Sequence, residues 1–201
     1  MKRAQAGFTL LELMLVVAIA GVLLAIAVPA MGNFIRNSRI TGAANDVMAG
    51  LHFTRSEAIK RRFPVTLCTS AASQAADPVC DASPFLTGWI AFVDLNQSGQ
   101  REAGEVVLTQ HEPMNAAITA RSSLNAFAVT YLLNGFALNP NQAQLVLCDE
   151  RGNQPSGGEL SAARGILISV TGRAGVTRNL DEIQDLIDTI NAGSIGGCDE
   201  S

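Results

Sequence analysis

Few residues declare a chemistry by type and spacing alone. Cys68, Cys80, Cys148 and Cys198 contain no C-x-x-C pair, which argues against a zinc site and for disulfides in an oxidising compartment. Four cysteines allow three connectivities; pairing nearest neighbours gives Cys68 with Cys80 and Cys148 with Cys198, the second tying the C-terminal segment back to a strand. On the chain-entropy model these closures contribute roughly 3 and 4 kcal/mol. Asp94-x-Asn96-x-Ser98-Gly99, with Glu105 at the twelfth position, has the spacing of an EF-hand calcium loop. Its flanks read as strands, however, and Arg101 stands where such a loop carries an apolar residue, so a polar turn rich in Asx and Gly is the better reading. His52 falls on a helical stretch and His111 in a turn beside Glu112, with no nucleophile or ligand spacing around either, so no enzyme, cofactor or metal is expected. Basic residues gather at Lys60-Arg61-Arg62 and at Arg173 with Arg178, groups whose ordinary reading is solvated surface. Trp89 reads as a core residue.

One carboxylate demands more. From Phe8 to Met31 every residue is apolar or small except Thr9 and Glu12. At about 1.5 Å per residue this run makes a helix of roughly 36 Å, enough to cross a hydrocarbon layer of about 30 Å. Only Met1 to Gly7 precede it, with Lys2 and Arg3, so the positive-inside rule leaves the N-terminus in the cytoplasm and sends everything after Met31 across the membrane. Ala25-Ile26-Ala27 resembles a signal-peptide cleavage site, but the apolar run is longer than a usual signal core and carries an acid near its start. An acidic residue in a membrane helix costs roughly 2.5 to 3.5 kcal/mol, so Glu12 requires a partner.

The elements that position these groups follow from periodicity. The chain has 201 residues, 48% hydrophobic and 16% charged, enough for one domain and something extra; its net charge of −4 gives no global attraction to nucleic acid. Pro29 should kink the apolar helix. Beyond it Ile40, Ala44, Val47, Leu51, Thr54 and Ala58 recur in alternating steps of four and three, which extends an amphipathic helix to about Arg62. Gly32, Gly42 and Gly50 weaken it, so packing must hold it. From Phe63 the period becomes two. Strands are expected at Val65–Thr69, Gly88–Asp94, Val106–Gln110, Ala117–Arg121, Ala128–Leu133, Gln144–Cys148 and Gly165–Val170, with a tight turn at Asn134-Gly135, loops at Ser70–Asp77 and Gly152–Gly158, and a short acidic helix at Leu180–Asn191. The fold class is α+β, a long N-terminal helix on a C-terminal antiparallel sheet domain.

Gly7-Phe8-Thr9-Leu10-Leu11-Glu12, with an unbroken apolar helix behind it, resembles the processing signal of type IV pilins and type II secretion pseudopilins. The resemblance implies cleavage by a prepilin peptidase between Gly7 and Phe8, N-methylation of Phe8, retention of the helix, and a role for Glu12 in pairing with a neighbouring subunit during assembly. Residues 1–7 would then be leader, 8–31 the membrane half of the helix, 32–62 its amphipathic half and 63–201 a periplasmic β-rich domain. Thr54-Arg55-Ser56-Glu57-Ala58-Ile59, Val65-x-Leu67-Cys68, Gly88-Trp89-Ile90-x-Phe92-x-Asp94 and Gly172-Arg173 are similar, in that order, to the GspH/FimT group of minor pilins and pseudopilins. Within it the Leu-Cys-Thr-Ser stretch and the cysteines look more like the FimT/FimU branch. The resemblance implies a single-pass inner-membrane protein that joins a pilus with other pilins, or a secretion pseudopilus in the alternative. Some FimT-type proteins bind DNA through arginines after the same glycine. Here Arg173 and Arg178 are the candidates, without a second arginine two residues after the first and with Asp181, Glu182, Asp185 and Asp188 close by to repel phosphate.

Overall fold

The computed structural model describes residues 9–114, 116–122, 127–138 and 144–191. The chain divides into two units, Met1–Ser38 and Arg39–Ser201. Helix α1, Leu10–Arg61, belongs to both and continues past position 29 without a break. In the first unit the side chains from Leu10 to Ala27 are all exposed, including eleven large apolar ones from Leu10 to Leu24 that a water-soluble helix would have to bury. This apolar helix is long enough to cross a membrane.

In the second unit the periodic positions become the core stripe of α1. Ile40, Val47, Leu51, Thr54 and Ala58 are fully buried and Ala44 nearly so. Thr54 keeps its hydroxyl satisfied by donating to the Gly50 carbonyl at 2.7 Å. Gly50 is a packing requirement, since a Cβ there would lie 2.8 Å from the Trp89 ring. Lys60 and Arg61 close the last turn on Glu57, at 3.1 and 2.7 Å, and hold its carboxyl below the usual range through those hydrogen bonds, Arg61 first.

Eight strands form two four-stranded antiparallel sheets among the described residues. Strands β1 (Val65–Thr69), β2 (Trp89–Val93), β3 (Val107–His111) and β5 (Ala128–Tyr131) take the order β3-β2-β1-β5. The others, β4 (Thr119–Ser122), β6 (Leu145–Cys148), β7 (Leu160–Ile168) and β8 (Ala174–Asn179), take the order β4-β6-β7-β8. Helix α2, Leu180–Asn191, follows β8 directly. Alternation along β6 explains its continuous apolar run: Leu145 and Leu147 join the main core with α1, while Val146 and Cys148 face Ile183, Leu186, Ile187 and Ile190 of α2. Strand β6 is therefore buried on both faces.

The structure departs from the sequence expectation at the C-terminal hairpin. Strand β7 spans Leu160–Ile168 rather than Gly165–Val170 and carries a bulge before Gly165, and β8 is a strand where the sequence pattern indicates no element. Ala-Gly-Val-Thr-Arg-Asn has little strand character of its own; the register with β7, Ile168 on Ala174 to Gly165 on Thr177, makes it a strand.

Candidate assembly site

The N-terminus of α1 is built as a reciprocal cap. Thr9 Oγ1 accepts from the Glu12 N–H at 3.2 Å, while Glu12 Oε2 accepts from the Thr9 N–H at 3.2 Å and from the Thr9 hydroxyl at 3.1 Å. This is the T-x-x-E capping box, which satisfies two of the donors that a helix start leaves open. Sequence reasoning singled out Glu12 but missed Thr9, although the spacing is a known signature of helix starts. The carboxylate thus has a partner within its own chain. Gly7 and Phe8 lie outside the described residues.

The residues around the helix end form a second arrangement, a joint between distant segments. Arg55 Nε donates to the Gly135 carbonyl at 2.9 Å and its Nη2 to the Thr171 carbonyl at 3.0 Å. Gly135, in the turn after β5, has φ +79° and sits against Ile59, where a Cβ would be 2.8 Å from its Cδ1. Gly172, in the β7–β8 turn, has φ +74°, and a Cβ there would lie 1.9 Å from the Gly135 carbonyl oxygen. One cation on α1 therefore ties together a turn from each sheet.

Asp94 organises a third local structure. It is fully buried and accepts from the Thr66 hydroxyl at 2.6 Å and from the Ser98 and Gly99 N–H groups at 3.0 and 2.9 Å. Glu105 accepts from the Leu95 and Glu102 N–H groups at 3.0 and 2.9 Å. Both carboxylates of the calcium-like spacing are thus turned onto backbone donors of their own loop. Among the described residues no group of three or more His, Cys, Asp or Glu is placed to hold a metal.

Cys68 and Cys80 are joined, with Cα atoms 5.6 Å apart. The loop they close is latched beside the bond: Asp81 N–H donates to Thr69 O at 3.0 Å, and the Asp81 carboxylate accepts from Ala71 and Ser83 N–H at 2.9 and 3.0 Å. Burial alone would raise the Asp81 pKa; the hydrogen bonds from Ser83 and Ala71 outweigh it and hold the group below its ordinary value. Cys148 is buried on β6 and is not a free thiol, whereas Cys198 lies outside the described residues. His111 stacks on Trp89 at 4.9 Å between ring centroids, and His52 is exposed on α1.

The two candidate DNA-binding arginines do not meet. Alternation along β8 sets Arg178 on the face of Ala174, which packs on the main core, and Arg173 on the face of Thr177, which hydrogen-bonds Glu182 of α2. Arg178 instead shares the Ser161 carbonyl with Arg164, at 3.4 and 3.3 Å. Arg164 is buried, donates to the Ala162 and Ala163 carbonyls and to Thr41 of α1, and is pushed down to about 10 by burial and by Arg178 and Arg151.

A capped apolar helix that continues as the spine of an antiparallel sheet domain is the architecture of a pilin. Residues 43–172 match the family described as type II transport protein GspH, and residues 2–28 match the prokaryotic N-terminal methylation motif. The chain belongs to the GspH family and is a GspH/FimT/FimU-type pilin. Its fold is similar to the crystal structure of the type IV minor pilin FimU of Pseudomonas aeruginosa, with a TM-score of 0.51 and 22% identity over 72% of this chain and 92% of that one. In sequence it is similar to the type IV major alpha-pilin of Moraxella bovis, 39% identical over 71 residues, 35% of this chain and 45% of that protein. It is also 56% identical over 41 residues to the type IV major fimbrial protein FimA of Dichelobacter nodosus, 20% of this chain and 26% of that protein. The chain thus spans less than half the length of these curated relatives.

Proposed function

We propose that this protein is a minor pilin that is inserted in the inner membrane through residues 8–31, cut by a prepilin peptidase between Gly7 and Phe8, methylated on Phe8, and added to a type IV pilus to initiate or cap its assembly, with residues 63–201 in the periplasm. The observation that carries this reading is the joining, in one chain, of an N-terminal methylation motif over residues 2–28 and a GspH domain over residues 43–172. Glu12 is the assembly contact: on docking, its carboxylate exchanges or shares the Thr9 cap for the Phe8 ammonium of a neighbouring subunit. A second disulfide, Cys148 with Cys198, fastens the C-terminal segment. The name of the matching family favours one other reading, a type II secretion pseudopilin. DNA binding through Arg173 and Arg178 has less support, because the two sit on opposite faces of β8.

Intact-mass analysis of the protein extracted from membranes tests the processing step. Loss of Met1 to Gly7 and addition of one methyl group are expected; a start at Val28 would restore a secretory signal. Deletion of the gene then separates the two filaments, since loss of surface pili supports the pilus reading and loss of secretion with normal piliation supports the pseudopilus.

A further inference from the structure

Of the outer strands of the two sheets, β5, β3 and β4 each have a neighbouring segment in contact among the described residues. The outer side of β5 is covered by the chain after its turn, where Leu138 N–H donates to Thr130 O and Ala137 bridges to Tyr131. The loop over residues 70–79 lies along β3, through Ser73 Oγ on His111 O and Gln110 Nε2 on Ala75 O. Strand β4 rests against the 3-10 turn Phe85–Thr87, and its Arg121 and Ser122 have further partners. Strand β8 has β7 on one side only.

The register says which groups are open. Ser169 N–H donates to Arg173 O, so Arg173, and by alternation Gly175 and Thr177, face β7. The N–H and C=O groups of Ala174 and Val176 point away from it. Gly175 and Val176 are exposed. Beside this edge lies an open cavity of about 510 Å³ lined by Leu167, Ile168, Thr171, Arg173 and Gly175. The exposed Arg173 side chain enters no ion pair among the described residues.

We propose that β8 receives an extended segment of a neighbouring pilin subunit, which adds a fifth strand to the second sheet and carries a carboxylate to Arg173. Backbone groups pointing outward from an exposed edge select a strand rather than a helix or a nucleic acid. The cavity takes an apolar side chain of that strand, and the unpaired guanidinium selects an acidic one. A second copy of this chain fits worse, since Ala174–Asn179 contains no carboxylate to meet Arg173. The inference rests on the pilin reading and specifies the surface through which it operates.

Hydrogen exchange on the full-length protein in detergent tests it, alone and in complex with the other pilins of its filament. The amides of Ala174 and Val176 should exchange freely alone and at least tenfold more slowly in the complex. Val176→Pro removes an outward N–H and no bond to β7, so the domain folds while the added strand is blocked. Arg173→Glu leaves the edge intact and reverses the charge. Both should lower recruitment about tenfold or more. A wild-type complex that forms without protection of these amides, or that recruits both variants normally, overturns the inference and leaves the pilin reading standing. Protection that arises in the protein alone on concentration would mean edge pairing between copies and would overturn it as well. Failure of the wild-type chain to join any pilin would remove both.

Discussion

Two glycines of α1 offer the same substitution with opposite consequences. Gly42 is exposed, and a Cβ built on it meets nothing within 4 Å. Gly42→Ala should therefore return the helix-propensity difference alone, a stabilisation of about 1 kcal/mol. Gly50 gains the same propensity, but its Cβ falls 2.8 Å from two Trp89 ring atoms and 3.1 Å from Leu67 Cδ1. Trp89 cannot easily withdraw: it is buried, fixed in the β1–β2 register opposite Thr69, and stacked on His111. Overpacking of this kind costs about 1 to 3 kcal/mol. The net change for Gly50→Ala is a loss of up to about 2 kcal/mol, and the two variants should differ by about 1 to 3 kcal/mol. Urea unfolding of the detergent-solubilised protein measures both, by far-UV circular dichroism, with the fluorescence of the single tryptophan as a second probe. Equal stabilisation by the two substitutions would refute the contact between α1 and Trp89 and leave Gly50 a mere weak point of the helix.

Three further outcomes are expected. Glu12→Gln keeps the capping partner of Thr9, since Gln serves at that position of a capping box, but removes the charge; the variant should be inserted and cleaved yet poorly recruited in pull-downs with partner pilins, and normal recruitment would mean that Glu12 acts only as a cap. Arg55→Met removes two charged-donor hydrogen bonds to carbonyls and should cost about 2 to 4 kcal/mol in the same unfolding assay; a change below about 0.5 kcal/mol would show that the joint of Gly135 and Gly172 holds without it. Asp81 has a folded pKa below its unfolded value, so it contributes stability above about pH 4 that is lost as pH falls through the folded value; acid titration should destabilise the wild type more than Asp81→Asn, and parallel curves would place the acid sensitivity elsewhere.

Much of the fold was legible because it repeats at short range. The stripe from Ile40 to Ala58 and helix α2 follow from spacing, and β1 from five consecutive residues that need no distant information. Strand β8 was not legible, because four of its six residues are polar or glycine and its partner supplies the order. The joint at Arg55 could not be read at all: its two acceptors lie 80 and 116 residues away, and no local pattern announces an arginine that bonds main-chain carbonyls. The same distance explains why Gly172 reads as one more turn glycine until Gly135 is placed against it.

Four residues of the second-half motifs, Arg55, Trp89, Asp94 and Gly172, share a kind of use. Arg55 and Gly172 meet at one joint, Trp89 fills the space over Gly50, and Asp94 folds its own loop onto Thr66. Each fixes how the segments of a pilin domain fit, and none is turned outward to a partner. A family match carried by such residues therefore establishes the domain and is silent on which filament it joins. Selectivity for neighbours has to come from groups free to vary without disturbing those joints. At the N-terminus that freedom is small, because the same Glu12 that caps α1 must also meet the next subunit. On the domain it is larger at the side chains of Arg173 and Val176, which are exposed at the β7–β8 turn and on β8. Exchanging the side chains of Val176 and Arg173 alone for those of another minor pilin, while keeping Ala174, Thr177, Arg178 and Asn179, should then redirect recruitment and leave stability within about 0.5 kcal/mol; unchanged partner choice after such an exchange would return the determinant to α1.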